Sequence, residues 1–390
     1  MICVLHKGKG LEKVKLTENF HNNVGFIVKF PYQLELLKLC CSQLFMPKVA
    51  FLLKILKSLL WIIRHNELDT INLYNSVAPY VQIAIGDNGH MLNFGYWNHN
   101  KKTMCMNPIE AQEELTALIG KFGDFKLSQR VIDVGSGFSA PAAQWKLTYS
   151  FLDIACVNIN SQQLSTAKTL VPNITPTTGV YTFNADTNDA NVSTTDAVRQ
   201  QITSVTCGNI VSLINATATT LPFADKCVDR VVALESAQHF KPLQNFFKES
   251  ARILKPGGLL IIAMPIMVSP RDSNINWSQF IHQFRKLGIL YFSWASEHYT
   301  LDSIALSLKS EGINIEDIQH IGHYVYEPLA NYYIQNRKLI KKTIEDYLTS
   351  YAQVISFETI EKIIYRSALK MKALSQKGVI DYVLIKGEKI

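Results

Sequence analysis

The sequence lacks the features of disulfide-bonded, zinc-binding and secreted proteins. Its 390 residues include seven cysteines, an odd number, and none of them forms a Cys-x-x-Cys pair, so neither a zinc site nor a disulfide framework is expected. His320 and His323 have no third ligand at a suitable spacing, and no metal is predicted. The first ten residues lack the apolar core of a secretory signal. A reducing cytoplasm is therefore the expected compartment.

The chain also lacks the signatures of nucleic-acid binding. Its net charge is +7, and the basic excess lies at the two ends: residues 1–70 carry ten Lys and Arg against five Asp and Glu, and residues 331–390 carry eleven against six. No arginine run, RNP aromatic motif or zinc-finger spacing accompanies this charge. We expect a mildly basic, solvated surface and no nucleic-acid partner.

No long apolar run is free of charge. The most apolar stretch, residues 47–63, contains three lysines, which argue against a membrane span. On a helix, Lys54, Lys57 and Arg64 fall on one side and the apolar residues on the other, a basic amphipathic pattern. We favour a helix that packs against the main domain. Peripheral membrane contact through residues 47–64 is the alternative.

From residue 130 onward, short runs rich in Val and Ile alternate with helical stretches, which is typical of βαβ units and a parallel sheet. Helices are predicted to begin at Pro141 and at Pro242, the second ending at Ile253. Residues 172–206 are polar and predict an inserted surface loop. The strands are predicted near 131–135, 152–158, 210–215, 228–234, 258–263, 315–320 and 380–386.

The strongest local motif is residues 131–139, VIDVGSGFS, an apolar strand that ends in an acid and a glycine turn before a helix. Glycines there allow backbone to approach a ligand closely. By itself the motif also satisfies the dinucleotide-binding pattern of a nicotinamide enzyme. Three further motifs follow in order: ATTLPF at 218–223, VDRVVALESAQHF at 228–240 and ARILKPGG at 251–258.

Over about residues 70–264, these four motifs resemble those of the class I S-adenosylmethionine-dependent methyltransferases. Residues 73–75 and LNFGYW at 92–97 are similar to the cap of a branch that includes sterol and tocopherol C-methyltransferases and sugar and macrolide O-methyltransferases. The resemblance implies an α/β fold, a Rossmann-like, seven-stranded, mostly parallel sheet with a helical N-terminal cap and an aromatic lid insertion. The implied regions are a cap at 1–110, a cofactor-binding core at 111–264, a lid insertion with later core elements at 265–379 and a closing strand at 380–390.

The resemblance implies S-adenosylmethionine as cofactor and suggests which residues contact it. The loop from Gly135 through Ser136 to Gly137 would pass beneath the methionine moiety, and Asp133 would order its ammonium group. Asn158 would meet the ribose where most relatives have an acid, which loses a charge-assisted bond. The other implied cofactor contacts are Tyr74, Tyr96, Ile159, Gln163, Thr217, Ala218 and Glu235; Thr217 stands where an acid often contacts the adenine amine.

His239 is the candidate catalytic base, because it follows the fourth strand at the carboxyl end of the sheet and an imidazole there can take a proton from a hydroxyl. A helix-capping or packing role is the alternative. Aromatic residues of the cap and of the later segments form a set that suits a bulky apolar methyl acceptor. The same set could stabilise a carbocation over its ring faces. The predicted lid residues are Trp97, Phe292, Trp294, Tyr299, Tyr324 and Tyr326, with Tyr332 beside them.

The expected function is methylation of a hydrophobic small molecule such as a natural product, lipid or terpenoid, with O-methylation favoured. C-methylation of an alkene is the alternative, since this branch uses nearly the same cofactor motifs for both. A non-catalytic cofactor-binding or scaffold protein is the alternative of another class, because two polar cofactor contacts have changed.

Overall fold

Strands rich in Val and Ile build one sheet in the order β3-β4-β2-β1-β5-β6-β8-β7. All neighbouring strands run parallel except β8, which is antiparallel to both β6 and β7. The seven predicted strands are confirmed, and β3 is a two-residue addition at the edge. The strands are β1 (Arg130–Val134), β2 (Asp153–Asn158), β3 (Tyr181–Thr182), β4 (Val211–Asn215), β5 (Val228–Leu234), β6 (Leu254–Met267), β7 (Ile313–His320) and β8 (Ile380–Lys389).

This is a computed structural model, and it describes residues 67–75 except 69 and 73, then 90–97, 106–170, 181–182, 211–268, 299–349 and 357–390. These residues all belong to one compact unit, Phe51–Ile390. The predicted amphipathic helix at 47–64, the lid residues Phe292 and Trp294, and the polar segment 172–206 apart from β3 lie outside the described residues. The membrane contact and the domain boundaries stay predictions.

Helices cover both faces of the sheet, and their starts follow local sequence signals. Asn107 and Glu110 form a capping box at the start of α1. Pro141 lies in the first turn of α2 and Pro242 is the N-cap of α4, which ends at Ile253, as the sequence predicts. The helices are α1 (Pro108–Phe122), α2 (Ala140–Thr148), α3 (Ser161–Leu170), α4 (Leu243–Ile253), α5 (Leu301–Ser310), α6 (Gly322–Thr349) and α7 (Phe357–Gln376).

Alternate residues of each central strand enter two separate cores. Val131 packs with Leu115 and Trp145 on one face, while Ile132 packs with Phe246 on the other, and all are buried. Burial of both faces explains why the strands have continuous apolar runs. The carboxyl ends of β4, β2, β1 and β5 therefore meet along one edge of the sheet, where open α/β folds bind ligands.

A pair of long helices, α6 and α7, is inserted between the antiparallel strands β7 and β8. The pair is tied together by Arg337, whose Nε donates to the buried carboxylate of Glu361 at 2.7 Å. Within the described ranges, no helix has the length and apolar character needed to cross a membrane. The aromatic N-terminal half of α6 faces the edge of the sheet described next.

Candidate active site

The loop after β1 combines a buried acid with two glycines in the left-handed region. A Cβ on Gly135 (φ +79°) would lie 2.3 Å from the Cβ of Ser236, so this position packs against protein. A Cβ on Gly137 (φ +55°) would meet nothing within 4 Å. Asp133 is buried, its Oδ2 has no hydrogen-bond partner in the described structure, and desolvation raises its pKa to about 7.

A pair of side-chain amides lies at the end of β2. Nδ2 of Asn158 donates to the carbonyl of Gly137 at 3.1 Å and to Oε1 of Gln163 at 2.9 Å, and its Oδ1 accepts from the backbone of Asn160 at 3.3 Å. Nε2 of Gln163 is buried, with no acceptor among the described residues. Ile159 takes part through its backbone, whose carbonyl accepts from Asn215 at 2.9 Å.

Thr217 and Ala218 follow β4, and both are buried. The hydroxyl of Thr217 donates to Oε1 of Glu67 and accepts from the backbone N–H of Thr219 at 3.2 Å. Glu67 lies 150 residues earlier in the chain. A carboxylate is thus present beside Thr217, although the strand itself provides none.

These three strand ends fit the predicted cofactor. Oδ2 of Asp133 lacks a donor and Nε2 of Gln163 lacks an acceptor; an ammonium group and a ribose hydroxyl oxygen would supply them. The open space above Gly137 would receive the methionine moiety. In this arrangement the ribose meets the β2 end and the adenine the β4 end, beside Ala218.

Glu235 follows β5 in a left-handed backbone conformation, φ +50°. Its Oε1 accepts two hydrogen bonds, from the backbone N–H of Phe94 at 2.8 Å and from the hydroxyl of Tyr382 at 2.9 Å. Burial raises the pKa of this carboxyl to about 8 despite the two bonds. Glu235 therefore joins residues 91–97, which we call the cap loop, to β8. Its carboxyl group is neutral at pH 7.

His239 forms a buried pair with Tyr74. Its Nε2 lies 2.8 Å from the Tyr74 hydroxyl, and the two rings meet edge to face. Desolvation, helped by the charge of Lys241, lowers the pKa of His239 to about 4. Burial and the neighbouring Glu235 raise the pKa of Tyr74 above its ordinary range. At neutral pH the phenol is therefore protonated and the imidazole is neutral, and the imidazole tautomer decides which of the two donates.

Tyr74 belongs to a helical segment that we call the cap helix, residues 67–75. Glu67 contacts the β4 end and Tyr74 the β5 end, while Asn75 accepts from Asn160 beyond β2 at 2.7 Å. Spacings of seven and eight residues place these side chains on one face of a helix. The sequence interpretation missed Glu67, Asn75 and Tyr382; the polar stripe at 67, 74 and 75 was the available signal for the first two.

Part of the predicted aromatic set comes together beside this edge. The Tyr96 ring lies 5.1 Å from that of Tyr324, and the Trp97 ring 5.6 Å from that of Tyr332. The backbone N–H of Trp97 donates to the carbonyl of Tyr324 at 2.9 Å. The cap loop, residues 91–97, and the start of α6 therefore form one continuous wall, which we call the aromatic wall.

Two predicted lid residues lie elsewhere. Tyr326 is fully buried, and its hydroxyl donates to the carbonyl of Asp381 at 3.3 Å, because its place on α6 points it into the core below the wall. Tyr299 packs against the core on the opposite face of the sheet, since the backbone of Met267 at the end of β6 donates to its carbonyl at 3.0 Å.

Comparisons with known proteins indicate a methyltransferase. Residues 173–262 match the family model described as a methyltransferase domain. The chain is 24% identical over 311 residues to the erythromycin 3''-O-methyltransferase of Saccharopolyspora erythraea, covering 77% of this chain and 84% of that protein. It is 23% identical over 251 residues to the 27-O-demethylrifamycin SV methyltransferase of Amycolatopsis mediterranei, covering 64% and 75%.

A solved structure extends the similarity to the fold. The cyclopropane synthase MmaA2 of Mycobacterium tuberculosis superposes with a TM-score of 0.58 at 13% identity, and the match covers 81% of this chain and 95% of that one. This likeness shows that the two proteins share the fold.

Proposed function

We propose that this chain, a class I S-adenosylmethionine-dependent methyltransferase of small molecules, methylates a hydroxyl group of a hydrophobic acceptor and uses His239 as the base. The observation that carries the proposal is the buried hydrogen bond between Tyr74 and His239 at 2.8 Å. It lies at the β5 end, next to the loop that would hold the methionine moiety. The cofactor supplies an electrophilic methyl group when bound.

The pair offers a path for the acceptor's proton. In the tautomer that leaves Nε2 of His239 unprotonated, the phenol of Tyr74 donates across this 2.8 Å contact, and the phenol oxygen remains able to accept a hydrogen bond from the substrate's hydroxyl. As the new oxygen–carbon bond forms, the acceptor's proton passes to the Tyr74 oxygen while the Tyr74 proton passes to Nε2. The bond that would break is the one between the cofactor's sulfur and its methyl group, so the products would be a methyl ether, S-adenosylhomocysteine and an imidazolium. An alkylated oxygen is a strong acid, so an imidazole with a pKa of about 4 suffices as the final base.

The aromatic wall supports a hydrophobic acceptor. Tyr96, Tyr324 and Tyr332 are partly exposed and uncharged, and Trp97 is buried with its ring against that of Tyr332. Such a surface favours an apolar skeleton over a polar one. The names of the two relatives place their substrates among erythromycins and rifamycins, which supports a natural-product acceptor here.

Two substitutions test the proton path. Purified protein with methyl-labelled cofactor and a panel of hydrophobic alcohols identifies an acceptor, which is then used for kinetics. His239→Ala and Tyr74→Phe are each expected to lower turnover by about 10²- to 10⁴-fold with little change in cofactor affinity. Tyr149→Phe is the matched control, because its ring lies against Phe125 under α1 and α2. Unchanged turnover in both test variants would remove the pair from the mechanism.

The aromatic wall also favours a second candidate, carbon methylation. An alkene attacks the methyl group without prior loss of a proton, and the resulting cation is stabilised over ring faces. A product carrying the methyl group on carbon, formed equally fast by wild type and His239→Ala, would replace the hydroxyl proposal with this one. Cofactor binding without turnover of any acceptor would favour a non-catalytic role.

A further inference from the structure

The cap helix brings a carboxylate to the end of the cofactor site where the chain otherwise offers only neutral groups. The carboxyl ends of β4, β2, β1 and β5 lie side by side in that order, and with the methionine moiety over the loop after β1 and the ribose at the β2 end, the adenine would lie at the β4 end. The side chains that follow β4 in the chain are those of Ala216, Thr217, Ala218 and Thr219. Each lacks a charge, and the Thr217 hydroxyl is already committed to Glu67 as a donor.

Among the described residues, only one of the two carboxylate oxygens of Glu67 accepts a hydrogen bond. Its Oε1 accepts from Thr217, and Thr217 is itself fixed by the backbone N–H and hydroxyl of Thr219 at 3.2 and 2.9 Å. Across the described ranges, Oε2 of Glu67 receives no hydrogen bond. Glu67 is half-buried and an ionised carboxylate is an acceptor only, so an N–H group of a ligand can replace water at this oxygen.

The edge of adenine provides such a donor, because its exocyclic amine carries two N–H groups. We propose that Glu67 recognises the adenine amine of the cofactor with Oε2, and that Thr217 positions the carboxylate for this contact. The acid at this end of the site thus comes from the cap helix. The inference rests on the cofactor and not on the choice of acceptor.

The test compares S-adenosylhomocysteine with its 6-deamino analogue, in which purine replaces adenine, by calorimetric titration. A hydrogen bond to a charged group predicts that wild type binds the amine-bearing ligand about 10- to 100-fold more tightly. Glu67→Ala should bring this ratio close to one. Glu67→Gln keeps an acceptor without the charge and should give an intermediate ratio, and it also covers the case in which the alanine variant folds poorly.

Two further variants separate recognition from positioning of the helix. Thr217→Val keeps the shape of the side chain and removes the hydroxyl that holds Glu67, so it should lower the ratio. Asn75→Ala loosens the same helix at its contact with Asn160 and should weaken both ligands equally, leaving the ratio unchanged. If Glu67→Ala gives the same ratio as wild type, the inference about Glu67 is wrong, while the proposed methyl-transfer function is unaffected. Failure of wild type to bind S-adenosylhomocysteine would overturn both.

Discussion

Replacing Glu235 with glutamine should make the protein less sensitive to alkaline pH. Both hydrogen bonds to this side chain end on one oxygen, Oε1, from the backbone of Phe94 and the hydroxyl of Tyr382. The amide oxygen of glutamine accepts the same two bonds, and its NH₂ group takes the place of the acid's O–H. Near pH 5, where the buried acid is protonated, Glu235→Gln should therefore match wild type in its free energy of unfolding.

The difference appears as the pH rises. Glu235 has a pKa of about 8 in the folded protein against 4.5 when unperturbed. A raised folded pKa means that the unfolded chain loses its proton first, so wild type loses stability as the pH rises from about 4.5 to 8. Between pH 5 and pH 8 this amounts to about 3 kcal/mol at 1.36 kcal/mol per pKa unit. Glutamine does not ionise, so the variant keeps this stability.

The assay is guanidinium unfolding of the cofactor-free protein, followed by tryptophan fluorescence at several pH values between 5 and 8. Only the difference between variant and wild type is used, because the buried Asp133 and His239 titrate in both and cancel. Glu113→Gln removes an exposed carboxylate and should show no such trend. A constant difference between Glu235→Gln and wild type across the range would refute the assignment of a buried neutral acid.

Three further outcomes are expected. S-adenosylhomocysteine should bind more weakly below pH 7, because its ammonium group favours the ionised form of Asp133, whose pKa is about 7 in the free protein. Calorimetric titration in two buffers should show that binding releases a proton, and Asp133→Asn should abolish this release. Gly137→Val should prevent cofactor binding in a folded protein, whereas Gly135→Ala should lower thermal stability because its Cβ meets Ser236; the reverse pattern would contradict the loop assignment. With cofactor kept saturating at each pH, turnover should stay level from pH 8 down to about pH 5 and fall only as His239 protonates near pH 4. A fall centred at its ordinary 6.5 would show an exposed imidazole.

The centre of the sheet was predictable because β1, β2, β4, β5 and β6 are largely buried on both faces, so apolar runs mark them. Pro141 and Pro242 marked helix starts for a local reason, a fixed φ that suits a first turn. The two-residue strand β3 was not predictable, since Tyr181 and Thr182 stand in a polar segment and gain their pairing only from β4.

The positions of Asp133, Asn158 and His239 at the carboxyl edge of the sheet were predictable, because each lies at or just after the end of a strand that its own sequence marks. The site was not predictable where distant segments meet. The contact of Glu67 with Thr217 and the bonds of Phe94 and Tyr382 to Glu235 span 141 to 150 residues of sequence, and no local pattern encodes them. The prediction that Tyr326 is a lid residue was wrong, because aromatic character alone does not distinguish a residue of the aromatic wall from a residue of the core.

The seam between the cap loop and α6 is made by backbone atoms, the N–H of Trp97 and the carbonyl of Tyr324. A main-chain bond does not depend on which side chain its residues carry. A change of the aromatic residues on either side would therefore alter the ring contacts across the seam and keep the backbone bond. Under the proposed function, α6 and the cap loop are the segments through which we expect the range of acceptors to be altered.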